Sequence, residues 1–187
     1  MMITDLLYGN SHAVPVVFLE TFHHFPETLK LVEKAQSTYK LNLKTYQAPD
    51  VDSRDSFAKR YGEKLWETDV LAFHRVTKIE PLARALDDLD TVAWITGRRR
   101  DQNEFRANMP VLEIGKDGRL KINPLAYWTR AKSWDYARAH KMMYNPLHDR
   151  GYASIGDEPL TTPVNDGEDE RAGRWRGSNK TECGIHD

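Results

Sequence analysis

The chain has 187 residues, 40% hydrophobic and 29% charged, with a formal net charge of −1. That length supports one domain with a sizeable core, and the even balance leaves no bulk charge to draw the chain onto nucleic acid or a membrane. No apolar run reaches transmembrane length, and the opening "MMITDLLYGN" lacks the flanks of a signal peptide; a single cysteine, Cys183, forms no internal disulfide and cannot by itself hold zinc or an iron–sulfur cluster, so the expected setting is a reducing cytoplasm.

The run "VPVVFLE" (residues 14–20) is β-branched and apolar, which predicts a buried parallel strand. After "TFHHF", Pro26 suits a first helical turn and Glu27 the positive end of the helix, with Leu29, Val32 and Ala35 at helical spacing. "LNLKTYQA" (residues 41–48) alternates like a strand and completes a βαβ unit with a right-handed crossover. Residues 53–89 read as helical pieces, the strongest being "KIEPLARALDDL", where Ile79, Leu82, Leu86 and Leu89 predict one apolar stripe. "TVAWITG" (residues 91–97) predicts another buried strand, stopping at Gly97 before "RRRDQ". "VLEIGKDGRLKINPLA" predicts a hairpin turning at Asp117-Gly118, and "AKSWDYARAHK" a short amphipathic helix. From Tyr144 onward glycine, proline and charge dominate. The class is therefore α/β, with residues 1–143 as the α/β domain and residues 144–187 as a loop-rich lid and mobile tail.

Cys183 lies in "NKTECGIHD" and is either an incidental surface thiol or a reagent on a flexible arm. An ordinary thiol, with a pKa of ~8.5, is only slightly ionised at neutral pH, and nearby cations activate it. Glu182 and Asp187 would oppose that activation while the tail is free, and docking against arginines would reverse the balance. His186 either stabilises a thiolate or is a plain tail residue. Arg98, Arg99, Arg100 and Arg106 follow a strand end, where open α/β sheets bind ligands, and guanidinium forks suit phosphate and sulfate oxygens. The same run also reads as a solvated basic loop. "DGEDERAGRWRG", with Arg171, Arg174 and Trp175, reads as a charge-paired loop or as a lid closing over an anion. His23 and His24 occupy a strand-to-helix loop, a common ligand-facing place, but no histidine pair has metal-ligand spacing and no metal site is expected.

Taken together, "FLETFHHFPETL", "KIEPLARAL", "TGRRRDQ", "GYASIGD", "GEDERAGRW" and "KTECGIH" resemble the assimilatory 3′-phosphoadenylyl sulfate (PAPS) reductases, sisters of the adenylyl sulfate (APS) reductases. The resemblance runs from about residue 3 to residue 186. It implies an adenine-nucleotide α-hydrolase-like fold (HUP or PP-loop type), a parallel sheet sandwiched by helices. It also implies thioredoxin-dependent reduction of PAPS to sulfite and adenosine 3′,5′-bisphosphate in sulfate assimilation, through an S-sulfonate on Cys183. The implied partners are PAPS, thioredoxin or glutaredoxin, and a second copy in a homodimer, with no nucleic acid and no membrane.

By the same resemblance Lys78, Arg98, Arg99 and Arg100 bind sulfate and phosphate oxygens, with Arg106 adding to them. Arg171, Arg174 and Trp175 belong to the closing segment, and Thr21 and His23 line the nucleotide site. The sister family holds a [4Fe–4S] cluster on two cysteine pairs whose positions here read Phe73, His74, Asp157 and Leu160, so no cluster and no other cofactor is expected. That favours PAPS, with a cluster-free APS reductase as the alternative, then a non-catalytic paralogue, and last an ATP-pyrophosphatase of the same fold. In one respect the chain departs from the pattern. The family opens with a strand and a glycine/serine-rich nucleotide loop, whereas "MMITDLLYGN" reads as the helix after that loop. The strand and loop are expected to be missing, through a truncated start or a degenerate copy.

Overall fold

In the computed structural model of the chain, residues 1–8, 14–176, 180 and 182–186 are described. Helix α1 (Met2–Tyr8) precedes strand β1 (Val16–Glu20), helix α2 (Pro26–Tyr39) and strand β2 (Leu43–Gln47). Pro26 opens α2 as the sequence predicts, and Lys40 closes it in the left-handed conformation. Strands β1 and β2 pair in parallel, Val16 opposite Leu43 through Glu20 opposite Gln47, which completes the βαβ unit.

Three short helices come next: α3 (Arg54–Tyr61), α4 (Leu65–Thr68) and α5 (Val70–His74). Ser53 and Ser56 form a capping box on α3, and the Asp69 carboxylate accepts from the Leu71 and Ala72 amides to start α5. A π-helical turn, Arg75–Ile79, then links α5 to α6 (Glu80–Asp88). Because a π turn takes up one more residue than an α turn, it rotates the side chains of α6 relative to those of α5. Thr77 and Lys78 face inward and Ile79 is exposed, so the expected stripe fails at Ile79; Pro81, Ala85 and Leu86 form the buried face of α6, with Leu82 and Leu89 half-buried. Ala48, Val51, Phe57 and Phe73 form a buried core here, with Trp66, Val76 and Leu160 packed against it.

A second sheet holds β3 (Ala93–Ile95), β4 (Leu112–Ile114) and β5 (Leu120–Ile122) in the order β3-β5-β4. β3 and β5 are parallel, and β4 and β5 form the predicted antiparallel hairpin, with Gly118 at positive φ in its turn. The register sorts the side chains cleanly. Ala93, Leu120 and Ile114 share one face with Ile95, Ile122 and Leu112, while Trp94, Lys121 and Glu113 share the other. The prediction of a buried β3 is corrected: Val92 is 83% exposed and Ala93 is exposed. A short apolar run reports that a strand is apolar but not which of its neighbours cover it. Helix α7 (Arg130–Ala139), capped by the Thr129 hydroxyl, completes the regular structure, and beyond it the described residues hold only short 3₁₀ turns. No helix among the described residues is long and apolar enough to cross a membrane.

Candidate active site

The tail lies against the polar face of the second sheet. His186 stacks on Trp94 with ring centroids 5.5 Å apart, and its backbone oxygen accepts from the Lys121 ammonium at 2.7 Å. Four residues before His186, the Glu182 carboxylate meets a fork of donors: Arg106 Nε at 2.7 Å, Arg106 Nη2 at 2.6 Å, Asn103 Nδ2 at 3.0 Å and Arg171 Nη2 at 3.4 Å. The bidentate arginine contact is the strong, orientation-specific kind. Burial opposes ionisation of Glu182, but Arg106, Asn103 and Arg171 outweigh it and hold its carboxyl below the ordinary value. Cys183, half-buried, is thus pinned from both sides.

The negative charge that a Cys183 thiolate carries falls within electrostatic reach of Arg171 and Arg174. Both guanidiniums pack on the ring of Trp175, at 5.3 and 4.6 Å from its centroid. Burial, and then the charge of Arg171, lower Arg174 to about 10, which leaves it cationic at neutral pH. His186 is a different matter. Burial and the neighbouring charges of Arg98, Arg106 and Lys121 push it down to about 3, so it is a neutral imidazole and supplies no cation to the thiol. The cations that feel the Cys183 charge include Arg171 and Arg174. Asp187, expected to oppose the thiolate together with Glu182, lies outside the described residues.

The three adjacent arginines diverge. Arg98 pairs with Glu113 and also donates to Asn123 and Thr96; Arg99 pairs with Glu170 and Asp101; Arg100 donates to the Met109 carbonyl and lies over Tyr127. Arg106, expected among the anion ligands, is taken up by Glu182 and Gln102. Consecutive residues of an extended or 3₁₀ segment point in different directions, and of the triplet it is Arg98 that reaches Glu113 on the polar face of the second sheet. Arg99 also lines a cavity of about 490 Å³, together with Gly97, Thr28, Arg130, His148 and Glu170. That volume is within the range of small-molecule sites.

On the other flank, Lys78 leaves the π-helical turn and donates to the Asp157 carboxylate, which is 1% exposed. Burial works against the charge of Asp157, but Lys78, Arg174 and the Thr21 hydroxyl hold it down to about 2. Thr21 is fully buried, and His23 sits among Phe57, Trp66 and Phe73 at 4.7 to 5.1 Å with its Nδ1 on the Thr21 carbonyl. The expectation that His23 lines the ligand site is corrected: it is a core histidine, because the β1–α2 loop folds inward under Asp157, to which His24 is joined by a β-bridge.

Phe73, His74, Asp157 and Leu160 converge, with His74 Nε2 3.9 Å from Asp157 Oδ2 and Leu160 packed on the core that holds Phe73. They do not fit an iron–sulfur cluster: Phe73 and Leu160 bring no donor atom, and Asp157 is spent on Lys78. Among the described residues, no group of three His, Cys, Asp or Glu is placed to hold a metal ion. Glu182, Glu170, Glu113, Asn103 and Lys121 went unread as site residues. The only signal for Glu182 was its adjacency to Cys183, and for Lys121 its alternation within the hairpin.

The neutral state of His186 makes docking of the tail pH-dependent. An undocked tail protonates His186 near the ordinary value of 6.5, whereas the docked tail resists protonation down to about 3. Falling pH therefore favours the undocked form progressively between 6.5 and 3, and this destabilisation is absent above that window. Amide exchange of residues 182–186, corrected for its intrinsic pH dependence, should lose protection across this window in the wild type and much less in His186→Gln. Identical pH profiles for the two would refute the assignment.

The sequence profile described as the phosphoadenosine phosphosulfate reductase domain matches residues 1–163. The phosphoadenosine phosphosulfate reductase of Emericella nidulans is 44% identical over 99% of this chain, and the chain spans 61% of that protein's length. The adenosine 5′-phosphosulfate reductase of Halalkalibacterium halodurans is 43% identical over the whole chain and 80% of its own length. A crystal structure of phosphoadenylyl-sulfate reductase from Candida auris, a phosphate complex, superposes with a TM-score of 0.79 at 37% identity, over 86% of this chain and 76% of that one. The α/β architecture is therefore the adenine-nucleotide α-hydrolase-like fold, as the motifs imply. By its match over most of its length and by these relatives, the chain belongs to the phosphoadenosine phosphosulfate reductase family.

Proposed function

We propose that this chain carries the sulfonyl-accepting thiol of a PAPS reductase, with Cys183 as the nucleophile. The observation that supports this most is the seating of Cys183 by the Glu182–Arg106 clamp within electrostatic reach of Arg171 and Arg174. In this reading the Cys183 thiolate attacks the sulfur of PAPS. A sulfur–sulfur bond forms as the bond from sulfur to the 5′-phosphate oxygen breaks, and the electron pair leaves on adenosine 3′,5′-bisphosphate. Arg171, Arg174, Arg98 and Lys78 stabilise the sulfonyl and phosphate oxygens as that charge shifts. A dithiol protein, thioredoxin or glutaredoxin, then attacks Cys183 Sγ and expels sulfite, and its second thiol frees Cys183 by closing the carrier's own disulfide. No iron–sulfur cluster takes part, and a homodimer is the working assembly.

The substrate choice rests on the fungal relatives named for PAPS; bacterial relatives of similar identity are named for APS, which makes APS the second reading. Intact-protein mass spectrometry of the purified chain mixed with either nucleotide, without reductant, separates them. The expected result is an added SO₃ on Cys183 from PAPS and little from APS. Labelling from APS alone would reverse the choice of substrate, and labelling from neither would overturn the reading.

A further inference from the structure

Trp175 is held unusually hard for a residue on a loop. Its φ of 51° is in the left-handed region, which a bulky side chain adopts only when its surroundings impose it. Its backbone N–H donates to the Leu160 carbonyl at 3.0 Å, and its indole Nε1–H reaches 101 residues back along the chain to His74 Nε2, 3.3 Å away. The rings meet edge-on with centroids 5.7 Å apart, and both are buried, Trp175 at 3% exposure and His74 at 0%.

An indole N–H only donates, so His74 Nε2 must be the accepting nitrogen and the proton sits on Nδ1. This requires a neutral imidazole. Burial and the adjacent Lys78 charge keep it so, with His74 pushed down to about 3. Arg171 and Arg174 pack on the Trp175 ring. The same Nε2 edge stands 3.9 Å from Asp157 Oδ2, the carboxylate that pairs with Lys78. One imidazole edge thus meets both the Lys78–Asp157 pair and the tryptophan on which the two arginines pack.

We propose that His74 is a positioning residue: by accepting the Trp175 indole hydrogen bond it sets the segment of residues 161–176, and with it Arg171 and Arg174, at the distance from Lys78 that the reaction of Cys183 uses. The inference rests on the reading of Cys183 as the nucleophile. Its link between His74 and the lid stands on geometry alone.

The test uses the full chain with His74→Phe, which keeps an aromatic ring without an acceptor, His74→Gln, whose amide oxygen can take the place of Nε2, and Trp175→Phe, which removes the donor from the other side. Amide exchange over residues 161–176 and the rate of Cys183 S-sulfonation by PAPS are both read. His74→Phe and Trp175→Phe should each loosen the segment and slow sulfonation by about 10²-fold. Their double variant should be no slower than either alone, and His74→Gln should recover most of both readouts. Unchanged exchange and rate in His74→Phe, additive losses in the double variant, or a His74→Gln as impaired as His74→Phe would overturn the inference, the last marking a merely structural histidine. Should the wild type take no sulfonate, the functional reading fails, and the exchange data still decide the His74–Trp175 link by the same comparisons.

Discussion

Replacing Cys183 with serine is expected to abolish the S-sulfonate and the release of sulfite, a loss of at least about 10³-fold, with no change in melting temperature. The reason is chemical. A serine hydroxyl is almost un-ionised at neutral pH, and neighbouring arginines cannot bring an alcohol within range of ionisation. Even if a sulfate ester formed on the serine oxygen, the reductant's thiol would find no Sγ to attack with sulfite as the leaving group. The fold should be indifferent, because Cys183 is half-buried in a tail held by Glu182 and His186. Sulfite assay and thermal melts of the two proteins side by side check both halves; sulfite release at the wild-type rate would eliminate Cys183 as the nucleophile.

Arg106→Ala should have the second-largest effect, although Arg106 is assigned no contact with substrate. Its guanidinium and the Glu182 carboxylate are 10% and 24% exposed, and removing one partner of a largely buried pair generally costs about 3–5 kcal/mol. Here most of that cost is avoided by release of the tail into water, so the loss should appear in docking rather than in global stability. Amide exchange at residues 182–186 should rise, and S-sulfonation should slow by about 10²-fold as the thiol leaves its arginine neighbours. Arg106→Lys, which keeps the charge but not the planar fork, should fall between the two. Sulfonation at the wild-type rate in Arg106→Ala would show that the clamp does not seat the thiol.

Some of this was legible in the residues. Pro26 and the spacing after it defined α2, β-branched runs marked β1 and β2, Asp117-Gly118 marked the hairpin, and the ordered motifs around Lys78, Arg171 and Cys183 pointed to the family. These are local signals, in which backbone preference and side-chain period act within a few residues of one another. The exposure of Ile79 was illegible because a π-helical turn inserts an extra residue that no apolar pattern announces. The exposure of β3 was illegible because cover comes from other parts of the chain. The divergence of the arginine triplet was illegible for a related reason. Arg98, Arg99 and Arg100 are neighbours in sequence, yet their backbone sends them to Glu113, Glu170 and Met109.

The amino-acid sequence by itself determined the helix and strand preferences, the chemistry available and the family, since propensity, motif order and a lone thiol beside Glu182 and His186 all reside in the linear chain. Only the tertiary structure decided which charges meet. It gave Arg106 to Glu182 across 76 residues, Lys78 to Asp157 across 79 and Trp175 to His74 across 101. It also decided which histidines lose proton affinity: His23, His74, His148 and His186 all do so first through burial. Burial and long-range charge depend on what the folded chain brings close, and distance along the sequence carries no measure of either.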